Sequence, residues 1–288
     1  MMEGAMITLG ITISYWVDFG LLFTDPSSVA WRFPLAFQIF FALIIVCVVL
    51  LLPESPRWLV FKGRDDDAKR CLSALFAQEV DSDLVRIEYS EIKSTVLEMS
   101  KGSFRDMLTM NEDRHFHRVA LGYINQVFQQ ISGINLVTYY IPTIVQTSLG
   151  LSPVTSRIIA ACNGTEYFLA SWIAVFTVEH FGRRTLMLFG SVGMGISMVI
   201  LTITKSLGTT SGDAATIVFF FVFNTCFAIG WLGMTWLYPA EITPLRIRAP
   251  ANAVSTSANW TFNFLVVMIT PVCFENIGYR TYIIWAVM

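Results

Sequence analysis

The chain has 288 residues, of which 55% are hydrophobic and only 14% charged, with a formal net charge of −2. Soluble domains carry about a quarter charged residues, so this balance argues against a water-soluble globule, and it offers nucleic acid no basic surface. Five cysteines without a CxxC pair and the histidines His115, His117 and His180 offer no metal-ligand cluster, and no nucleophile–base pair or phosphate loop points to an enzyme or a cofactor site.

Taken in chain order, apolar runs cover about 4–23, 33–52, 119–141, 157–178, 185–204, 214–238 and 250–272, with a further start at 279–288. The run from Phe33 to Leu52 holds no charge and ends abruptly at Pro53-Glu54-Ser55-Pro56-Arg57. Such a run makes roughly 30 Å of helix, the thickness of a bilayer's hydrocarbon core. The expected fold is therefore all-α: a polytopic helix bundle with the lipid bilayer as solvent.

Lys and Arg distribute unevenly. If the spans alternate in direction, the segments 53–118, 179–184 and 239–249 share one side and hold fifteen of them, against four on the other. The positive-inside bias places the long 53–118 segment in the cytoplasm. Within it, Val85, Tyr89, Ile92, Val96 and Met99 form an apolar stripe at helical spacing after Asp81 and Asp83. Asp65-Asp66-Asp67 followed by Ala68, Leu72 and Leu75 predicts a shorter helix before it.

Polar residues then interrupt the apolar runs. At 100° per residue, Gln126, Gln129, Gln130 and Gly133 share one sector of about 100°. Lipid offers an amide no partner, so this face must meet other polar groups or water. Gln126 reads as interhelical glue, and Gln129, Gln130 and Asn135 together as a site. A break near Ser132-Gly133 would bring Asn135 round to the same side. A second stripe, Asn252, Thr256, Asn259 and Asn263, runs down 250–272 with Trp260 beside it. Asparagine combines donor and acceptor on one short arm, which suits a polyhydroxylated ligand. Glu166 is the sole acidic residue in its span, so it is a candidate proton or substrate group, with a structural ion pair as the rival. Gly230 and Gly233 flank Trp231 and permit a bend or close helix approach, and Trp236 follows them.

Pro53-Glu54-Ser55-Pro56-Arg57, Gln129-Gln130-Ile131-Ser132-Gly133-Ile134-Asn135, Gly182-Arg183-Arg184 and Asn259-Trp260-Thr261, in this order, resemble the sugar porter family of the major facilitator superfamily. Gly230 to Ala251 resembles its fungal, hexose- and lactose-permease-like members most. The resemblance implies a fold of two six-helix bundles, here lacking helices 1–4 and most of helix 12. Residues 1–58 would close the first bundle, 59–115 form a cytoplasmic helical linker, and 116–288 an incomplete second bundle.

It further implies sugar contacts at Gln129, Gln130, Asn135, Trp236 and Asn259. A cytoplasmic charge network would comprise Glu54, Arg57, Glu179, Arg183, Arg184, Glu241 and Arg248. The implied activity is alternating-access transport of a monosaccharide or disaccharide across the plasma membrane, with protons as candidate co-substrates and no cofactor. A sugar receptor that does not transport, and a non-functional fragment of a transporter, are the alternatives. The chain departs from the family's pattern at Tyr167, where an asparagine is usual, and at Gly233 and Thr235, where prolines are common.

Overall fold

The computed structural model describes residues 2–24, 27–100, 102–110, 113–147 and 149–288, and among them every regular element is helical. Thirteen α-helices follow one another among the described residues. The first five are α1 (Met2–Leu21), α2 (Val29–Val49), α3 (Pro56–Phe61), α4 (Asp65–Phe76) and α5 (Asp83–Ser100). Next come α6 (His115–Ile131), α7 (Ile134–Thr147), α8 (Pro153–Phe181) and α9 (Arg183–Leu207). The remainder are α10 (Thr210–Phe227), α11 (Met234–Ile242), α12 (Leu245–Ile277) and α13 (Thr281–Val287).

Six helical stretches of the described residues are long and apolar enough to cross a bilayer: Met2–Thr24, Val29–Val49, Pro153–Phe181, Arg183–Leu207, Thr210–Ile242 and Leu245–Val287. The expected span 119–141 is absent from this set. It is divided into α6 and α7 at Ser132-Gly133, where Gly133 takes a φ of +92°, a conformation that a side chain would strain. The expected runs 250–272 and 279–288 join into one stretch, broken only by the turn Gly278–Arg280.

Two compact units emerge: Met1–Pro34, Val119–Ile242 and Asn252–Met288 form one, and Leu35–Arg118 with Thr243–Ala251 the other. In the larger unit α1 packs along α8, α7 on α8, α9 on α10, and α13 on α9. Leu136, Ile141, Met198, Leu201, Phe220 and Phe223 are fully buried among them. Lipid tails are as apolar as these side chains, so close packing holds such a core more than water exclusion does. Gly230 shows it: a Cβ built there would lie 2.6 Å from the Cα of Gly190 and from the carbonyl oxygen of Leu186. The backbones therefore touch, and α10 passes into α11 through a wider π-type turn at Ala228–Leu232.

Pro142, Pro239 and Pro271, three of the prolines inside helices, each leave a carbonyl four residues earlier without its N–H donor. In each case a distant side chain takes that place. Thr138, freed by Pro142, accepts from the Tyr15 hydroxyl. Thr235, freed by Pro239, accepts from the Asn125 and Gln126 side chains, both at 3.2 Å. Val267, freed by Pro271, accepts from the Tyr140 hydroxyl at 2.9 Å. Membrane interiors supply no water for such carbonyls, so the proline kinks and the donors form one design. Tyr140→Phe is thus expected to destabilise the fold by about 1–2 kcal/mol, the cost of a half-buried carbonyl left without its donor. Thermal unfolding in detergent checks this; an unshifted midpoint would refute it.

In the smaller unit α3, α4 and α5 bury Leu59, Ala68, Leu72, Val85 and Ile92 against one another. Both helices expected in this segment are present, although Leu75 is 67% exposed rather than on the packed face. Asp106 accepts from the Ser103 backbone N–H at 3.0 Å and pairs with Arg246 at 2.9 Å. The Ser103 N–H first, and then Arg246, hold the Asp106 carboxyl below its ordinary range. His115 is buried, with Nδ1 3.1 Å from the Asp106 carbonyl oxygen.

Candidate functional site

The amides predicted to form a site do converge. Once α6 breaks at Gly133, Asn135 turns back and its Nδ2 donates to Gln130 Oε1 at 2.5 Å. Gln130 Nε2 donates to Asn259 Oδ1 at 3.0 Å, and Asn263 Nδ2 reaches Gln130 Oε1 at 3.2 Å. Asn259 Nδ2 in turn donates to Gln126 Oε1 at 2.5 Å and Gln129 Oε1 at 2.7 Å. Six amides from α6, α7 and α12 thus form one network, with Gln130 and Asn259 at its centre.

Gln126, Gln129, Gln130, Asn135 and Asn259 are only 1–6% exposed and bond to one another instead of lining an open hollow. The physical reason is the cost of an unpaired amide in an apolar interior: Gln130, Asn135, Asn259 and Asn263 donate within the group, and Gln126 donates to the Thr235 carbonyl. A cavity of about 390 Å³ does adjoin the break, but Phe128, Ser132, Ser191, Trp231 and Trp285 line it, on the opposite face of α6. Trp236 remains 42% exposed on α11 and takes no part in the amide bonds.

Of the predicted charge network, Glu179, Arg183 and Glu241 assemble. Arg183 Nη2 donates to Glu241 Oε1 at 2.8 Å and to Glu179 Oε1 at 3.3 Å, while its Nε reaches both oxygens of Glu241. These groups are partly exposed, so solvent screens the cluster and it is weak. Arg184, the next residue on α9, points about 100° away and makes no salt bridge among the described residues. Glu54 and Arg57 make none either among those residues. Arg248 donates to the Thr243 carbonyl at 3.3 Å.

Glu166 lies outside the amide network. One carboxylate oxygen accepts from the Thr225 hydroxyl, and the other, Oε2, is buried without a partner among the described residues. The rival structural ion pair is therefore not formed among the described residues.

A family model described as "Sugar (and other) transporter" matches residues 1–288. The chain belongs to that family. Among curated sugar-transporter-family relatives, it is 40% identical over 99% of its length to the MFS-type transporter oryC of Aspergillus oryzae, covering 54% of that protein. It is 34% identical over its whole length to the sugar transporter STL1 of Saccharomyces cerevisiae, covering 51%. The proton:xylose symporter XylE of E. coli, bound to 6-bromo-6-deoxy-D-glucose, superposes with a TM-score of 0.78 at 24% identity. That superposition covers 99% of this chain and 61% of XylE. The fold is thus that of the major facilitator superfamily, and this sugar-transporter-family chain spans about half the length of the curated relatives it matches.

Several polar residues of this family member lie beyond the reach of the sequence patterns. Asn125 and the tyrosines Tyr15 and Tyr140 serve proline-freed carbonyls, and the available signal is Pro142, Pro239 and Pro271 inside apolar runs. Asn163 and Asn224 form a second buried amide pair, with Nδ2 of Asn224 donating to Oδ1 of Asn163 at 2.5 Å. In the sequence Asn163 stands out only as a sequon residue at membrane depth.

Proposed function

We propose that the chain is the carbohydrate-binding part of a membrane carrier that moves a monosaccharide or disaccharide by alternating access, without altering it chemically. The observation that carries this reading is the amide network at the Gly133 break, inside a chain of the sugar transporter family. A sugar hydroxyl both donates and accepts, so it can replace one amide in each bond it breaks. Each exchange leaves only a small net gain of about 0.5–1.5 kcal/mol, so a few of them give an affinity on the order of millimolar, about −4 kcal/mol. Weak binding suits a carrier, which must release its cargo.

On this reading Gln129, Gln130, Asn135 and Asn259 hold the sugar, and the exposed Trp236 indole is available to stack on its ring. The Glu179–Arg183–Glu241 cluster latches the cytoplasmic end and parts at little cost when the carrier opens inward. Glu54, Arg57, Arg184 and Arg248 would complete the latch. Residues 1–58 then belong to one bundle, 59–115 to a cytoplasmic linker and 116–288 to the other bundle, in the plasma membrane. XylE, which shares the fold, is a proton:xylose symporter, and this favours protons as co-substrate. A sugar receptor would bind without moving its ligand, and counterflow separates the two. Reconstituted vesicles preloaded with unlabelled D-glucose should accumulate labelled D-glucose transiently; binding without any such overshoot would favour the receptor.

A further inference from the structure

The groove walled by α1, α8 and α10 has no part in the amide network, yet it has the size and lining of a ligand site. It is an open groove of about 470 Å³, and Trp16, Cys162, Glu166, Leu169, Ile173 and Thr225 border it. Small-molecule sites span roughly 300–1,000 Å³ and combine mostly apolar walls with a few placed polar groups. Here the walls are apolar and the placed group is a carboxylate. Trp16 is held in position, since its indole N–H donates to Thr165 Oγ1 at 3.0 Å.

The carboxylate has an unmet need. Glu166 Oε1 accepts from Thr225, while Oε2 is buried and unpartnered among the described residues. α1 and α10 contain no Lys or Arg, and α8 contains Arg157 alone, nine residues before Glu166. That interval is about 13 Å along a helix, and Arg157 already donates to the Asp18 carbonyl at 3.2 Å. The walls therefore bring no cation to Glu166. A buried anion without a counter-charge is costly, and hydrocarbon walls favour an organic group over a hydrated ion.

We infer that this groove binds a lipophilic organic cation, whose apolar bulk fills the space beside Leu169 and Ile173 while its positive charge faces Glu166. Trp16 adds an aromatic ring to the same wall, a favourable neighbour for an onium group. The site stands apart from the carbohydrate reading, because none of Gln129, Gln130, Asn135 or Asn259 borders it.

The probe is labelled tetraphenylphosphonium, which carries a permanent charge and no exchangeable proton, with the whole chain in lipid nanodiscs and equilibrium dialysis as the readout. Saturable binding is expected, weakened about tenfold or more by Glu166→Gln. Leu169→Trp should weaken it similarly by filling the groove with the charge intact; Leu169 is 62% exposed, so the larger ring leaves the core undisturbed. Uncharged triphenylphosphine oxide should compete poorly. The inference is overturned if wild type shows no saturable binding, if both variants bind as tightly as wild type, or if the neutral compound competes equally.

Discussion

Gly230→Ala should lower stability by about 1–3 kcal/mol, the usual cost of forcing a methyl group into a packed contact. Gly230→Leu should fail to give a monodisperse protein at all. The cause is steric. A Cβ at Gly230 would sit 2.6 Å from the Gly190 Cα and from the Leu186 carbonyl oxygen, and both are backbone that no rotamer change can move. Parting α9 from the Ala228–Leu232 turn would also strain the Trp231 Nε1 to Ser191 Oγ bond of 2.9 Å. Gly195 supplies the control on the same helix as Gly190, with nothing within 4 Å of its built Cβ. There alanine should be neutral or stabilising by about 0.5–1 kcal/mol, from better helix propensity. Thermal unfolding of the two alanine variants side by side tests the contrast, and equal midpoints would sink it.

Gln130→Ala should produce the second large effect, on stability and ligand affinity together. The side chain donates to Asn259 and accepts from Asn135 and Asn263, so truncation strands polar groups on α7 and α12 at once. Measured interhelical hydrogen bonds in membranes average about 0.6 kcal/mol, which places the stability loss at about 1–3 kcal/mol for the set. If two of these bonds are exchanged for sugar hydroxyls, affinity should fall about tenfold to a hundredfold. Arg183→Ala offers the contrast, because its partners are partly exposed and its loss should leave the unfolding midpoint nearly unchanged.

How much of this was legible without coordinates depends on the range of the interactions. The break at Gly133 was readable, since glycine and the polar faces on either side announce it locally. The two helices after Arg64 were readable for the same reason, from acidic starts and apolar periodicity. The closure of the amides on one another was not. It depends on Asn259 and Asn263, which lie about 130 residues from Gln129 and Gln130, and a helical wheel reports only that a face is polar. The proline-carbonyl pairings were invisible for a like reason, joining Tyr15 to Thr138 and Tyr140 to Val267. Charge pairing fell between: Glu179 and Arg183 are one helical turn apart and readable, whereas Glu241 is 58 residues from Arg183. For Glu166 the sequence framed a choice, and geometry was needed to show that no ion pair forms among the described residues.

The buried amides around Gln130 must open to hold a carbohydrate if the chain binds sugar as proposed. Saturation-transfer NMR tests this most directly, because the method reports millimolar ligands and identifies which sugar protons touch protein. With the chain in lipid nanodiscs and D-glucose as ligand, ring-proton saturation should appear with wild type and fall sharply with Gln130→Ala. Saturation absent from wild type, or undiminished in the variant, would contradict the account and leave the amide network a purely structural seam.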